Sequence, residues 1–292
     1  MGKLPAGMLS QSNAVRGAAW MGGAVLCFAI MAIAVRELLR HMGILEILSL
    51  RTFVTLVLVC AVVSRHGFRQ IRTQRFSIHC ARSLVHLAGQ FCWMYAIGAL
   101  TLTTVFAIEF TMPVWVAVLA GFFLGERLNR GRIVMLILGL AGIAIILRPG
   151  LGAFNPAALV MVLGSIFYAA NMIFTKRLSA TDSPLTVLFW MSAVQMPLTL
   201  TAALPEWVAP QLVDVPWILA IGAGSFAAHY SMTRAMKFAD ATVVVPIDFL
   251  RLPLIAVVGA LFYAEPLEAA TFTGAAVIFA GTYCSLRRES LR

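Results

Sequence analysis

The segment FAIEFTMPVWVAVLAGFFLGERLNRGR, residues 106–132, occurs twice in this chain in diverged form. Moved on by 139 positions, Glu126 falls on Glu265 without a gap. The same step puts Glu109 on Asp248, Phe110 on Phe249, Phe123 on Phe262 and Leu128 on Leu267. It also pairs Phe28 with Phe167, Ala96 with Ala235, Gly142 with Gly281 and Arg148 with Arg287. A register kept this far without an insertion marks two related halves, 1–150 and 151–292. Any fold for this chain is therefore built twice from one plan.

The solvent of that fold follows from the side chains. Hydrophobic residues make up 61% and charged residues 12% of the chain, and soluble domains carry about 25% charged residues. Too few charges remain to cover a water-facing surface, so the chain reads as an integral membrane protein. The net charge of +10 then belongs to cytoplasmic loops rather than to a nucleic-acid surface, because the basic residues sit at helix ends. The five cysteines are odd in number and form no C-x-x-C pair. They support neither a disulfide framework nor a zinc site.

A spanning helix needs about 20 mostly apolar residues. Ten segments qualify, near residues 17–35, 44–64, 80–100, 104–124, 133–147, 156–174, 185–204, 216–236, 242–263 and 272–286. The expected fold class is all-α: a polytopic membrane protein of ten transmembrane helices arranged as two inverted five-helix repeats. With the N-terminus inside, the inner segments collect Arg65, Arg69, Arg72, Arg75, Arg127, Arg130 and Arg132, with Lys3 and Arg16 before them. The outer segments hold only Arg36, Arg40 and Arg148. This bias predicts cytoplasmic termini. Five helices per half is an odd number, so the second half enters the membrane upside down. Transporters build two alternating states this way, with the substrate between the halves.

The run from Pro113 to Phe123-Leu124-Gly125-Glu126-Arg127, echoed from Pro253 to Phe262-Tyr263-Ala264-Glu265, resembles the EamA-type branch of the drug/metabolite transporter superfamily. Gly139-Leu140-Ala141-Gly142 and Arg148-Pro149 are similar to that family as well. The resemblance covers nearly the whole chain. It implies export of amino acids and related metabolites, or import of compounds such as S-adenosylmethionine or riboflavin. The second half departs from the motif at Ala264 and Pro266, which stand opposite Gly125 and Arg127.

Polar side chains inside a membrane are expensive and mark functional positions by default. His86, Gln90 and Trp93 recur at helical spacing on one face of helix 3. Ser225, His229 and Tyr230 on helix 8 occupy the matching region, and Tyr168 and Asn171 on helix 6 extend the same lining. These eight residues are the expected substrate-binding set. The alternative is that they bond to neighbouring backbone. Arg51, Glu109, Asp248 and Arg251 are the expected coupling or gating set. Inversion predicts Glu109 in the outer third, level with Arg51, and Asp248 in the inner third beside Arg251. In the alternative reading these groups are fixed ion pairs. Gly121-x-x-x-Gly125, with Ala260 and Ala264 opposite, predicts a close crossing of helices 4 and 9.

No nucleophile triad, catalytic acid pair, phosphate loop or metal-ligand spacing is visible. The expected function is secondary active transport of a small amphipathic metabolite across the bacterial inner membrane, with an amino acid exporter preferred. The alternatives are an importer of S-adenosylmethionine or riboflavin and, from another class, an intramembrane enzyme. No cofactor, metal or nucleic-acid partner is expected. A proton or substrate gradient would supply the energy, and the chain would act as a monomer or weak homodimer.

Overall fold

The computed structural model describes residues 6–124, 130–148, 155–239 and 241–290. Lys3, the Gly125-Glu126-Arg127 end of the motif, Leu128, Pro149, Arg292 and the 150/151 boundary lie outside the described residues. The elements run α1 (Ala6–Leu38), α2 (Ile44–His66), α3 (Phe76–Ala99), α4 (Leu102–Glu109), α5 (Met112–Leu124) and α6 (Arg130–Leu147). They continue with α7 (Pro156–Leu178), α8 (Pro184–Ala203), α9 (Val215–Phe238), α10 (Ala241–Phe249), α11 (Arg251–Tyr263) and α12 (Ala269–Ser290). Among the described residues there is no strand, and seven helical stretches are long and apolar enough to cross a membrane, with Ile133–Leu147 a shorter apolar one. The protein is an all-α, multi-pass membrane protein. α3 and α9 are as long as the others but more polar, because His79, Arg82, His86 and Gln90 share one helix and His229, Arg234 and Lys237 the other.

Two expected spans are broken. Segment 104–124 is α4 and α5, interrupted at Phe110 and Thr111, and segment 242–263 is α10 and α11, interrupted at Leu250. Proline supplies the cause. Pro113 and Pro253 offer no N–H to the carbonyls of Glu109 and Phe249, and their rings crowd those carbonyls. The freed backbone is tolerated at this depth because protein surrounds it. The joint before α4 is also shorter than expected, since Thr101 already caps it by accepting from the Thr104 N–H.

Exchanging the two halves leaves most of the packing unchanged. α1 lies on α9 and α3 on α7, which are repeat counterparts, while α2 packs on α8, α6 on α12 and α4 on α11. These last three pairs each join equivalent spans, and each runs antiparallel. The start of α2 meets the segment after α8 through Glu46 and Val208, and its end meets the start of α8 through Gln70 and Thr186. Likewise Arg148, after α6, reaches Glu268, before α12. The second half is therefore inverted against the first.

The expected crossing at Gly121 is made elsewhere. Spans 4 and 9 approach each other through α4 and α11, while the α5 half that carries Gly121 packs on α7 and α6. The prolines swing the two halves of each span apart, and α5 and α11, which carry Gly121 and Ala260, make no comparable contact among the described residues. The close backbone approach belongs to α6 and α12. A Cβ added to Gly142 would stand 2.7 Å from the Gly274 carbonyl oxygen, and one added to Gly274 would stand 2.6 Å from that of Gly142. By contrast, nothing lies within 4 Å of a Cβ at Gly22. Gly22→Ala should raise stability by about 0.5–1 kcal/mol through helix propensity alone, read as a higher melting temperature in detergent.

Candidate functional site

The helix breaks bring the repeated acids to the centre of the molecule. Phe110 and Phe249, equivalent residues at the two breaks, stack with ring centroids 4.1 Å apart and planes 16° from parallel. Glu109 and Asp248 precede them, and Arg251 stands between the two acids. Its guanidinium lies 3.2 Å from the Glu109 carboxylate and 3.5 Å from that of Asp248. It also lies over the rings of Phe28, Phe106 and Phe110, at 4.7, 5.0 and 5.0 Å. Such faces attract a cation and exclude water. Trp93 Nε1 donates to the second Glu109 oxygen at 2.9 Å.

Glu109 and Asp248 thus share one arginine at one level, instead of separate levels in the outer and inner thirds. The two half-helices end at the same depth, so the acids converge. Nor does Arg51 lie beside Glu109. It donates to Ser225 Oγ on α9 at 2.6 Å, because α2 packs on α9 rather than on α4. The position equivalent to Arg251 in the first half is Met112, so the arginine breaks the symmetry of the repeat.

A cavity of about 130 Å³ opens beside this cluster. His86, Gln90, Trp93, Tyr168, Asn171, His229, Arg51, Glu109, Asp248 and Arg251 all border it. The sequence-predicted residues Ser225 and Tyr230 do not. Ser225 is sealed behind Arg51. Tyr230 is one residue, or a quarter-turn and slightly more, past His229; it points outward, is 39% exposed, and packs on Trp20 and Phe226.

Sequence reasoning missed Phe28 and five methionines of the lining: Met31, Met94, Met112, Met172 and Met232. One signal was available, since the 139-residue step puts Met232 opposite Trp93. Several buried polar atoms around the cavity have no partner: Gln90 Oε1, Asn171 Oδ1, Asp248 Oδ1, Arg51 Nε and Arg251 Nε. Buried groups of this kind are normally hydrogen-bonded. Ringed by aromatic faces and soft thioethers, they suit a small molecule with a flat apolar body and polar edges.

Polar ties join helices at both ends of the bundle. At one end Asp182, in the α7–α8 turn, accepts from Thr73 Oγ1 at 2.7 Å and lies 2.6 Å from His79 Nε2. Burial pushes its carboxyl up, but the bonds from His79 and Thr73 outweigh this and hold it below the usual range. An acid depressed in this way contributes stability above its unfolded value, and that contribution is lost as pH falls through its folded value. Asp182→Asn should therefore lower the melting temperature at neutral pH and leave it unchanged in strong acid. At the other end Glu265 pairs with Arg36 and accepts from the Leu102 N–H at 2.8 Å. Here burial pushes the carboxyl above its usual range, against the pull of Leu102 and Arg36.

Comparison with known proteins agrees with this architecture. The family model described as the EamA-like transporter family matches twice, at residues 15–148 and 155–287. The chain is 30% identical to a riboflavin transporter of Vibrio cholerae, over 93% of each chain. It is 28% identical to an S-adenosylmethionine uptake transporter of Rickettsia bellii over 81% of each, and 25% identical to a pseudopaline exporter of Pseudomonas aeruginosa over 86% and 89%. A solved crystal structure at 17% identity superimposes with a TM-score of 0.66, covering 95% of this chain and 98% of its own, and so shares the fold. The family and these relatives are named as transporters, not enzymes. With one family match on each half of an inverted, antiparallel helix bundle, this chain belongs to the EamA-like transporter family.

Proposed function

We propose that the protein takes up a flat, uncharged heteroaromatic metabolite of the riboflavin kind across the bacterial inner membrane, by alternating access, with both termini in the cytoplasm. The observation that carries this reading is the lining of the central cavity. Phe28, Trp93, Tyr168, His86 and His229 offer ring faces, and the free oxygens of Gln90 and Asn171 offer acceptors for ring N–H groups. Both carboxylates already engage Arg251, so a neutral substrate leaves the charge balance intact. A free amino acid brings two charges and no ring, and matches this lining less well. The naming of a 30% identical relative as a riboflavin transporter points the same way. The cavity, about 130 Å³, is smaller than the roughly 300–1,000 Å³ of typical ligand sites. Binding therefore requires the halves to separate, as alternating access entails.

A second reading rests on Asp248, whose Oδ1 has no partner. That oxygen suits a cationic substrate such as S-adenosylmethionine, the compound for which the Rickettsia relatives are named, or a proton that drives uptake. Counterflow of labelled riboflavin, S-adenosylmethionine and amino acids in proteoliposomes separates these readings. Riboflavin exchange with weak competition by the others is expected, and exchange of S-adenosylmethionine or amino acids alone would overturn the first reading. Asn171→Leu should weaken riboflavin exchange roughly ten-fold, since an unmade buried hydrogen bond costs about 1–3 kcal/mol. Asp248→Asn should abolish accumulation driven by a proton gradient while leaving exchange in place.

A further inference from the structure

We infer that Glu265 is the latch of one gate, and that the structure is the state in which this gate is shut. The latch is built from parts of both repeats. One Glu265 oxygen accepts from the Leu102 N–H at the first turn of α4, at 2.8 Å. The other pairs with Arg36 at the end of α1, and Arg36 also donates to the Leu100 carbonyl after α3, at 2.8 Å. A single carboxylate thus holds the ends of α1, α3 and α11 to the start of α4. The helix dipole and free N–H groups of α4 favour an anion there.

The local backbone is shaped to place that carboxylate. Ala264 ends α11 in the left-handed region, at φ 49, and Glu265 N–H turns back to the Gly259 carbonyl at 3.0 Å. Left-handed closure of a helix is normally the work of glycine, and glycine is what the first-half motif has at the equivalent Gly125. The glutamate then folds over Gly259, where a Cβ would stand 2.5 Å from its Oε2. The motif that ends this span is a device for returning an acid to the neighbouring helix start.

Packing differs between the two ends. Exchange of the halves turns the α1–α3 contact into α7–α9, α4–α11 into α10–α5, and α4–α12 into α10–α6. The first member of each pair is packed at the Glu265 end, and the second makes no comparable contact among the described residues. The central cavity reaches toward the opposite end, between Met172 on α7 and Met232 on α9. The Glu265 end thus has ties that the opposite end lacks among the described residues, while α1–α10 and α5–α7 remain packed at that opposite end.

This inference rests on alternating access but not on the identity of the substrate, so it is tested without one. In a cysteine-free background, Met31→Cys supplies a reporter in the cavity, probed with a membrane-impermeant maleimide in right-side-out and inside-out vesicles. The parent should label from one side only. Glu265→Ala should add labelling from the other side, roughly ten-fold, as loss of a charge-assisted tie shifts the closed population, and Glu265→Asp should recover part of the one-sidedness. Unchanged one-sided labelling of Glu265→Ala would overturn the latch. Should Glu265→Ala fail to accumulate, a disulfide between Leu39→Cys and Gly98→Cys decides. A Cβ at Gly98 lies 3.5 Å from the Leu39 side chain, across α1 and α3 beside the latch. Its formation should stop transport reversibly, with reporter labelling kept on the open side; transport that continues with the bridge intact would also overturn the gate. One-sided labelling that responds to Glu265 in a protein that fails to exchange riboflavin would sink the substrate alone.

Discussion

Arg251→Gln is expected to remove most of the folded protein from the membrane. Arg251 is 4% exposed and is the shared partner of Glu109 and Asp248. Those acids close two half-helices, α4 and α10, whose C-terminal dipole ends add further negative potential. Without the guanidinium, two carboxylates face each other in low dielectric. Stranding one member of a buried pair costs about 3–5 kcal/mol, a large part of the roughly 5–15 kcal/mol that holds a domain folded. Arg251→Lys should restore little, because an ammonium lacks the planar fork and stacks poorly on Phe28, Phe106 and Phe110. The triple change Glu109→Gln/Asp248→Asn/Arg251→Gln should recover the melting temperature while losing coupled uptake. The same geometry revises what pairing at three residues' spacing implies for Asp248 alone. Arg251 keeps Glu109 at 3.2 Å in Asp248→Asn, so that variant should remain folded and Glu109→Gln should be the more damaged of the two. Thermal unfolding of the purified variants in detergent tests the series; a parent-like Arg251→Gln would refute it.

Gly274→Leu should disrupt the protein almost as severely. α6 and α12 cross with Gly142 against Gly274, and a Cβ at Gly274 alone would sit 2.5 Å from Ile146 Cγ1 and 2.6 Å from the Gly142 carbonyl oxygen. A side chain tip can rotate away, but a helix carbonyl cannot without breaking its own hydrogen bond. Overpacking typically costs about 1–3 kcal/mol where neighbours can adjust, and this site is less forgiving. The helices must separate, which also pulls Arg148 from Glu268 at 3.3 Å. Loss of monodisperse protein in size-exclusion chromatography is the expected readout, with Gly22→Ala as the tolerated control. Normal behaviour of Gly274→Leu would show that the crossing does not hold the two halves together.

The sequence by itself determined the membrane class, the positions of the spans, the duplication and most of the polar lining. It did so because a bilayer forces each apolar segment to satisfy its own backbone as a helix. It also makes every buried charge costly enough to be conspicuous. His86, Gln90 and Trp93 were legible as one face by spacing alone, and Glu109 and Asp248 by their matched positions in the repeat. Only the tertiary structure decided that these two acids share Arg251, that Arg51 turns to Ser225, and that Tyr230 faces outward. Each depends on which helix lies opposite, which spacing along one helix does not specify. Methionine looks like ordinary core until a cavity shows which methionines also line it. The closed end was beyond the sequence for a deeper reason. Glu126 and Glu265 end the two halves with the same acid, although Arg36, the partner of Glu265, has Thr175 at its equivalent position. The repeated acid alone does not say which end is closed; the packing of the helices around Glu265 does.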